Sequence, residues 1–142
     1  MIKISIGADH RGFALKKHLI KHFQEYVWSD QGTMSGQQTD YPIYAQHVCK
    51  EVLSHAADFG ILLCGSGIGM SIAANRFKGI YAALCWNEEI ARAARCHDKA
   101  NILILATDLT TPEQAVAIVT AWLGSAFKGE HYQKRLDMLD KF

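Results

Sequence analysis

One of the four cysteines stands where chemistry could use it. The run Leu62-Leu63-Cys64-Gly65-Ser66-Gly67-Ile68-Gly69-Met70-Ser71 reads as an apolar strand that ends on a cysteine and breaks into three alternating glycines before a helix. Glycines let the backbone turn its N–H groups toward a ligand, and the helix terminus that follows adds positive potential, so this loop is expected to face an anion. A thiol at that position is expected to be accessible, with its thiolate favoured by the helix terminus below the ~8.5 of free cysteine. Cys64 is therefore a candidate base or nucleophile, the alternative being a strand-end cysteine that only packs. Two familiar loop chemistries do not fit. The dinucleotide fingerprint needs GxGxxG after the first strand and an acid about 20 residues on; here the spacing is GxGxG on the third strand, and the residue 20 on from Gly65 is Cys85 instead of an acid. The nucleotide-hydrolase phosphate loop needs a GK pair followed by Ser or Thr, and the lysine is absent.

Asp9-His10 directly follows the first predicted strand, so both side chains are expected at the same edge as Cys64, although Asp9 could equally cap the next helix. His97, shortly before the fifth predicted strand, and Asn101 at its start are expected to converge there as a third group. His18, His22, His47 and His55 fall in predicted helices and read as solvated or capping residues. Cys49, Cys85 and Cys96 read as buried or half-buried hydrophobes. Without CxxC spacing or the cysteine density of a secreted scaffold, the thiols are expected to be reduced, with neither zinc nor disulfides.

These residues need a scaffold, and the chain supplies one by alternation. Ile2–Ile6, Val27–Ser29, Phe59–Cys64, Ile80–Cys85 and Ile102–Ala106 read as strands. Between them Phe13–Phe23, Tyr44–Leu53 (opened by Thr39-Asp40-Tyr41-Pro42), Met70–Phe77 and Glu88–Arg95 read as helices. Thr110-Thr111-Pro112-Glu113 looks like an N-cap with proline and an acid in the first turn, opening a helix through Leu123. Continuous apolar strands separated by helices imply right-handed crossovers and a parallel sheet buried on both faces. The expected fold is α/β, a three-layer αβα sandwich with a Rossmann-like five-stranded parallel sheet. The remainder, Phe127–Phe142, carries Tyr132, Leu136 and Leu139 at helical spacing and reads as an extra C-terminal helix suited to packing on a partner subunit. In such sheets ligands bind outside the carboxyl ends of the strands.

The 142 residues, 49% hydrophobic and 20% charged, suit one compact domain spanning 1–142. A net charge of +1 from 15 basic and 14 acidic residues gives no broad field for nucleic acid or an anionic membrane, so any anion must be held locally. The apolar start is too short for a signal sequence and no run reaches the ~20 residues of a membrane span, so a soluble cytoplasmic protein is expected.

Taken together, Gly7-Ala8-Asp9-His10-Arg11-Gly12-Phe13 with Leu15-Lys16, Asp40-Tyr41-Pro42, Cys64-Gly65-Ser66-Gly67-Ile68-Gly69 with Ser71-Ile72-Ala73-Ala74-Asn75-Arg76, and His97 with Asn101 closely resemble the type B ribose-5-phosphate isomerases. That family also includes the galactose-6-phosphate isomerase subunits. The resemblance implies an aldose–ketose isomerase of sugar phosphates that works without a cofactor or metal. It implies that Cys64 takes the proton from C2 of the opened aldose and returns it to C1, that His97 opens the sugar ring with Asp9 and His10 nearby, and that Ser66 relays protons among hydroxyls. The backbone of Gly65, Gly67 and Gly69 would stabilise the enediolate with preorganised N–H donors, and Tyr41 would line the pocket. It further implies a homodimer, or a dimer of dimers, in which the C-terminal arginine region and His10 meet the catalytic cysteine of the neighbouring subunit.

The chain departs from the family's pattern at the residues around the phosphate. Asp98 stands where Asn is usual after the histidine, Asp108 where an arginine usually follows the fifth strand, and Gly129-Glu130-His131-Tyr132 where Gly-Gly-Arg-His is usual. Arg135 remains of the arginine set, supported by His131. An aspartate repels a phosphate dianion that an arginine would bind bidentately. The resemblance implies D-ribose 5-phosphate and D-ribulose 5-phosphate, and the altered arginine set makes another sugar phosphate (galactose or allose 6-phosphate, or a tetrose phosphate) the runner-up. A non-catalytic sugar-phosphate sensor is the alternative of a different class.

Overall fold

The computed structural model describes all 142 residues. In chain order the elements are β1 (Lys3–Ala8), α1 (Phe13–His22), β2 (Val27–Asp30), α2 (Tyr41–Leu53), β3 (Phe59–Cys64), α3 (Ile68–Ala74), β4 (Ala82–Leu84), α4 (Glu88–Asp98), β5 (Ile102–Ala106), a 3₁₀ turn (Thr107–Leu109), α5 (Pro112–Leu123) and α6 (His131–Leu139). The five strands form one sheet in the order β2-β1-β3-β5-β4, and every pairing is parallel. The α/β sandwich expected from the alternation is the fold observed.

Strand side chains alternate between the sheet faces, and the two hydrophobic cores follow that period. Ile4, Ile6, Ala8, Ile61, Leu63, Leu103 and Leu105 join Leu19, Ile118 and Trp122 under α1, α4 and α5. Leu62, Cys64, Ile102 and Ile104 join Val48, Val52 and Met70 under α2 and α3. Helix starts obey local chemistry. Thr111 caps α5 in a reciprocal capping box with Gln114, behind Pro112. Asn87 caps α4 by accepting from the Ile90 N–H at 2.9 Å.

Several boundaries differ from the sequence reading. The helix after the glycine loop begins at Ile68 and ends at Ala74, and β4 shrinks to Ala82–Leu84. Besides its pairing with β5, this short edge strand is held by a side chain: Asn75 donates to the Ala82 carbonyl at 3.0 Å and accepts from its N–H at 2.9 Å. Helix α4 runs on to Asp98, so His97 lies in its last turn. His55 sits beyond the end of α2 at φ 62°, not inside a helix.

The sheet order reverses between β1 and β3. The chain leaves β1 toward β2 on one side, whereas β3 lies on the other, and this switch opens a crevice at the carboxyl ends of the two strands. Asp9, His10 and Arg11 enter it from β1, and Cys64 to Gly69 from β3.

Candidate active site

Cys64 is the last residue of β3, paired with Ala106 of β5. The backbone N–H groups of Met70, Gly67 and Ser66 face its sulfur. Gly67 holds φ +73° as the residue before α3, and a Cβ there would come within 2.5 Å of Leu84 Cδ1. Only glycine meets both demands. Gly69 is excluded from growing by Tyr41, whose ring carbon Cζ lies 2.5 Å from where a Cβ would stand. Tyr41, at the start of α2, therefore walls the glycine loop. Ser66 is exposed, with its hydroxyl accepting from the Ile68 N–H at 3.2 Å.

The accessible, acidified thiol expected from the sequence is not what the fold produces. Cys64 is 5% exposed, and burial pushes its pKa up, with the nearby Asp9 carboxylate acting in the same direction. The three backbone N–H groups favour the thiolate but do not overcome the desolvation. The thiol is packed from the α2–α3 side by core residues, a three-dimensional fact that the strand–glycine–helix pattern does not contain.

Asp9 is 6% exposed. Its Oδ1 accepts from the N–H of Arg11 at 3.0 Å and of Gly12 at 3.3 Å, so it orders the turn into α1 while its charge is felt at Cys64. Asp9 thus reaches the Cys64 edge and braces the turn before α1, whose N-cap is Gly12. His10 is half-buried, and its Nδ1 accepts from the Thr39 N–H at 3.2 Å. That bond ties the β1 loop to the segment leading into Tyr41. The same segment is anchored below by Lys16, fully buried, whose Nζ donates to Asp30 at 2.6 Å and to the Thr33 carbonyl at 2.5 Å. In the sequence Lys16 stood within the family-like Leu15-Lys16 pair and among the lysines of a helical stripe, and nothing there marked it as buried.

His97 and Asn101 do not converge on this edge, which corrects the sequence expectation. Helix α4 runs back across the sheet, so its last turn reaches the amino ends of the strands. Asn101 Oδ1 accepts from the Tyr81 N–H at 2.9 Å, and its carbonyl accepts from Gly60, near the start of β3. Arg95, two residues before His97, lies over the Phe59 ring at 4.8 Å. Gly60 precedes Cys64 by four strand residues, about 13 Å at the usual rise of ~3.3 Å. A second cluster has formed at this far edge. The His97 ring stacks on Tyr132 with centroids 4.6 Å apart and planes at 12°. His131 packs on the same tyrosine at 4.1 Å, and the Arg135 guanidinium lies 5.9 Å from its centroid. Asp98, His131 and Arg135 are all exposed. The residues singled out in the sequence thus fall into two groups, one at each edge of the sheet.

None of the larger clefts is lined by Cys64, His97, His131 or Arg135. One, of about 350 Å³, lies between Asn75–Tyr81 and the C-terminal residues Leu139, Asp140 and Phe142, where the Tyr81 hydroxyl donates to the Asp140 carboxylate at 2.7 Å. No group of three or more His, Cys, Asp or Glu side chains is gathered in a metal-binding arrangement. No helix is long and apolar enough to cross a membrane.

Thr107, which the sequence reading passed over, and Asp108, which it singled out only as a departure from the family pattern, also shape the Cys64 edge. Thr107, just after β5, places its hydroxyl 3.0 Å from the Arg11 carbonyl and 3.1 Å from the Cys64 carbonyl. The Asp108 N–H donates to Gly65 at 3.0 Å, and its carboxylate pairs with the Arg11 guanidinium.

Comparison with known proteins agrees with this architecture. Residues 4–139 match the family described as Ribose/Galactose Isomerase. Ribose-5-phosphate isomerase B of Escherichia coli K12 is 41% identical over 141 residues, covering 98% of this chain and 95% of that protein. The crystal structure of a ribose 5-phosphate isomerase from Thermotoga maritima superposes with a TM-score of 0.98 at 45% identity, covering 99% of both chains. That of ribose-5-phosphate isomerase B from Mycoplasma genitalium, with bound ribulose-5-phosphate, gives a TM-score of 0.94 at 36% identity, covering 99% of this chain and 95% of that one.

Proposed function

Because this chain belongs to the Ribose/Galactose Isomerase family, we propose that it is an aldose–ketose isomerase interconverting D-ribose 5-phosphate and D-ribulose 5-phosphate. The observation that carries this reading is a buried thiol at the end of a strand, faced by backbone N–H groups of a glycine loop. In the forward direction the Cys64 thiolate removes the C2 proton of the open aldose. The C–H electron pair becomes the C1=C2 bond, and the carbonyl electrons move onto O1 as an enediolate. Charge that appears only in the transition state is stabilised best by donors already in place, and the Gly65–Gly69 backbone is such a donor set. Ser66 passes the O2 proton to O1, and Cys64 returns its proton to C1, leaving a ketone at C2. No net oxidant, cofactor or metal enters this balance. Asp9 orients the β1 loop, and His10 and Tyr41 bound the sugar.

Ring opening falls to His97, and with it comes assembly. Since His97, Asp98, His131 and Arg135 lie at the far edge of their own sheet, the reading has them complete the Cys64 half-site of a second copy in a homodimer or dimer of dimers. Ile43, Ile68 and Ile72, at 47%, 58% and 58% exposure on α2 and α3 beside the glycine loop, support a partner covering this face. A second reading, turnover of a six-carbon or four-carbon sugar phosphate, is favoured by Asp108 and His131 standing where the family resemblance leads one to expect arginines.

The test is a coupled assay of ketose formation over a panel of aldose phosphates, run with and without a chelator. Chelator-resistant turnover with ribose 5-phosphate as the best substrate is expected. Preference for a tetrose or hexose phosphate would select the second reading, and silence on all of them would leave a sensor.

A further inference from the structure

Resting on the sugar-phosphate reading, we propose that Arg11 is the subunit's own ligand for the substrate phosphate and that Asp108 is the residue that positions it. Arg11 leaves β1 in the turn ordered by Asp9, at the switch crevice. Its Nε donates to Asp108 Oδ1 at 3.3 Å, and one terminal nitrogen donates to Asp108 Oδ2. The carboxylate thus occupies one edge of the guanidinium. A guanidinium has five N–H donors in a rigid fork, so the opposite edge stays free for a second anion in bidentate geometry.

The pair is held against the anion loop itself. A Cβ added to Gly65 would stand 2.8 Å from Arg11 Nε and 2.9 Å from Asp108 Oδ2, so the pair lies directly on the first glycine after Cys64. Asp108 is anchored there by its own N–H on the Gly65 carbonyl, and the neighbouring Thr107 hydroxyl spans the carbonyls of Arg11 and Cys64. Three loops, after β1, β3 and β5, are therefore joined at one point, where the guanidinium and the carboxylate sit as an ion pair.

Stability does not account for the arrangement. The Arg11 and Asp108 side chains are 57% and 41% exposed, and ion pairs of that exposure contribute little. The other cation near the crevice, Lys16, is fully buried and spent on Asp30 and Thr33. Arg11 is thus the cation that this edge can offer to a dianion entering beside the glycine loop. An arginine fixed on one side by a carboxylate is preorganised, which reduces the ordering cost of binding.

The experiment compares wild type with Arg11→Met, Arg11→Lys, Asp108→Ala and the Arg11→Met/Asp108→Ala double variant. Arg11→Met is expected to raise KM for the preferred sugar phosphate about tenfold, the loss of one charged hydrogen-bonded contact, with kcat changed little. Competitive inhibition by inorganic phosphate weakens in parallel. Arg11→Lys, which retains charge but cannot serve both anions with a planar fork, falls between and covers the case that Arg11→Met misfolds. Asp108→Ala is expected to raise KM about threefold in the wild-type background and to do nothing further in Arg11→Met, because it acts only through Arg11. Titration of inorganic phosphate, followed through the amide NMR signals of the glycine loop, reads the same contact without turnover. Wild type inactive on every sugar phosphate sinks the functional reading. Arg11→Met with unchanged phosphate affinity sinks this inference, and an Asp108→Ala effect that persists without Arg11 removes the positioning role.

Discussion

The Cys64 thiol and the His97 imidazole belong to opposite edges of one sheet: Cys64 closes β3 beside Ala106, whereas His97 ends α4, which carries it back to where β3 begins. Each half of the proposed chemistry therefore needs the other half from elsewhere.

If the two halves meet across subunits, inactive variants will complement. Cys64→Ala and His97→Asn homodimers are each expected to be inactive on the cyclic substrate. Mixed under conditions of subunit exchange, heterodimers contain one site with both residues intact, and up to about a quarter of wild-type activity returns for a random mixture. Cys64→Ala mixed with Arg135→Ala behaves alike. Exchange demonstrated by mass with no recovery would confine each site to one chain.

Cys64→Ala itself is expected to fold normally, since it removes a single buried atom, while losing isomerisation by about a thousandfold or more, in the range of a general base removed. Exchange of the C2 hydrogen with solvent is lost together with turnover. Near-normal exchange in this variant would move the base to Asp9.

The pH profile reports the burial of the thiol. Because desolvation and the Asp9 charge hold the Cys64 pKa up, kcat/KM is expected to rise with pH through the ordinary thiol range of ~8.5 and beyond it. Asp9→Asn removes one of the two causes, so the midpoint of this limb moves to lower pH. A midpoint that stays put would show that the limb belongs to another group.

Alkaline stability carries a second signature. Cys49 and Cys85 are 0% and 1% exposed, and burial pushes both pKa values up from 9.0 to about 12. Above pH 9 the unfolded thiols ionise while the folded ones stay protonated, so the folded state binds more protons and stability falls as pH rises. Each thiol contributes a slope of up to about 1.4 kcal/mol per pH unit across that window. Denaturant unfolding between pH 8 and 11 measures it, and Cys49→Ala or Cys85→Ala is expected to flatten the decline. A slope unaffected by both substitutions would assign it to other groups, with Tyr81 the first candidate, since its pKa is also pushed up to about 12 by burial and Asp140.

Much of this molecule was written in local patterns. Runs such as Ile61-Leu62-Leu63 and Ile102-Leu103-Ile104-Leu105 could only be strands buried on both faces, and their alternation with helices implied the parallel sandwich. The glycines at 65, 67 and 69 marked the anion loop because backbone approach is a local property, and Thr111 and Pro112 marked a helix start for the same reason. What the tertiary structure alone decided are quantities that depend on distant chain. The edge reached by His97 depends on how far α4 runs past Arg95, and the helix continues three residues further than its apolar pattern indicates. The exposure of Cys64 depends on which helices close over its face. The pairing of Arg11 with Asp108, 97 residues apart in sequence, depends on β1, β3 and β5 lying side by side. Periodicity reports which way a side chain points from its own element; only the packed sheet determines which neighbours it then meets.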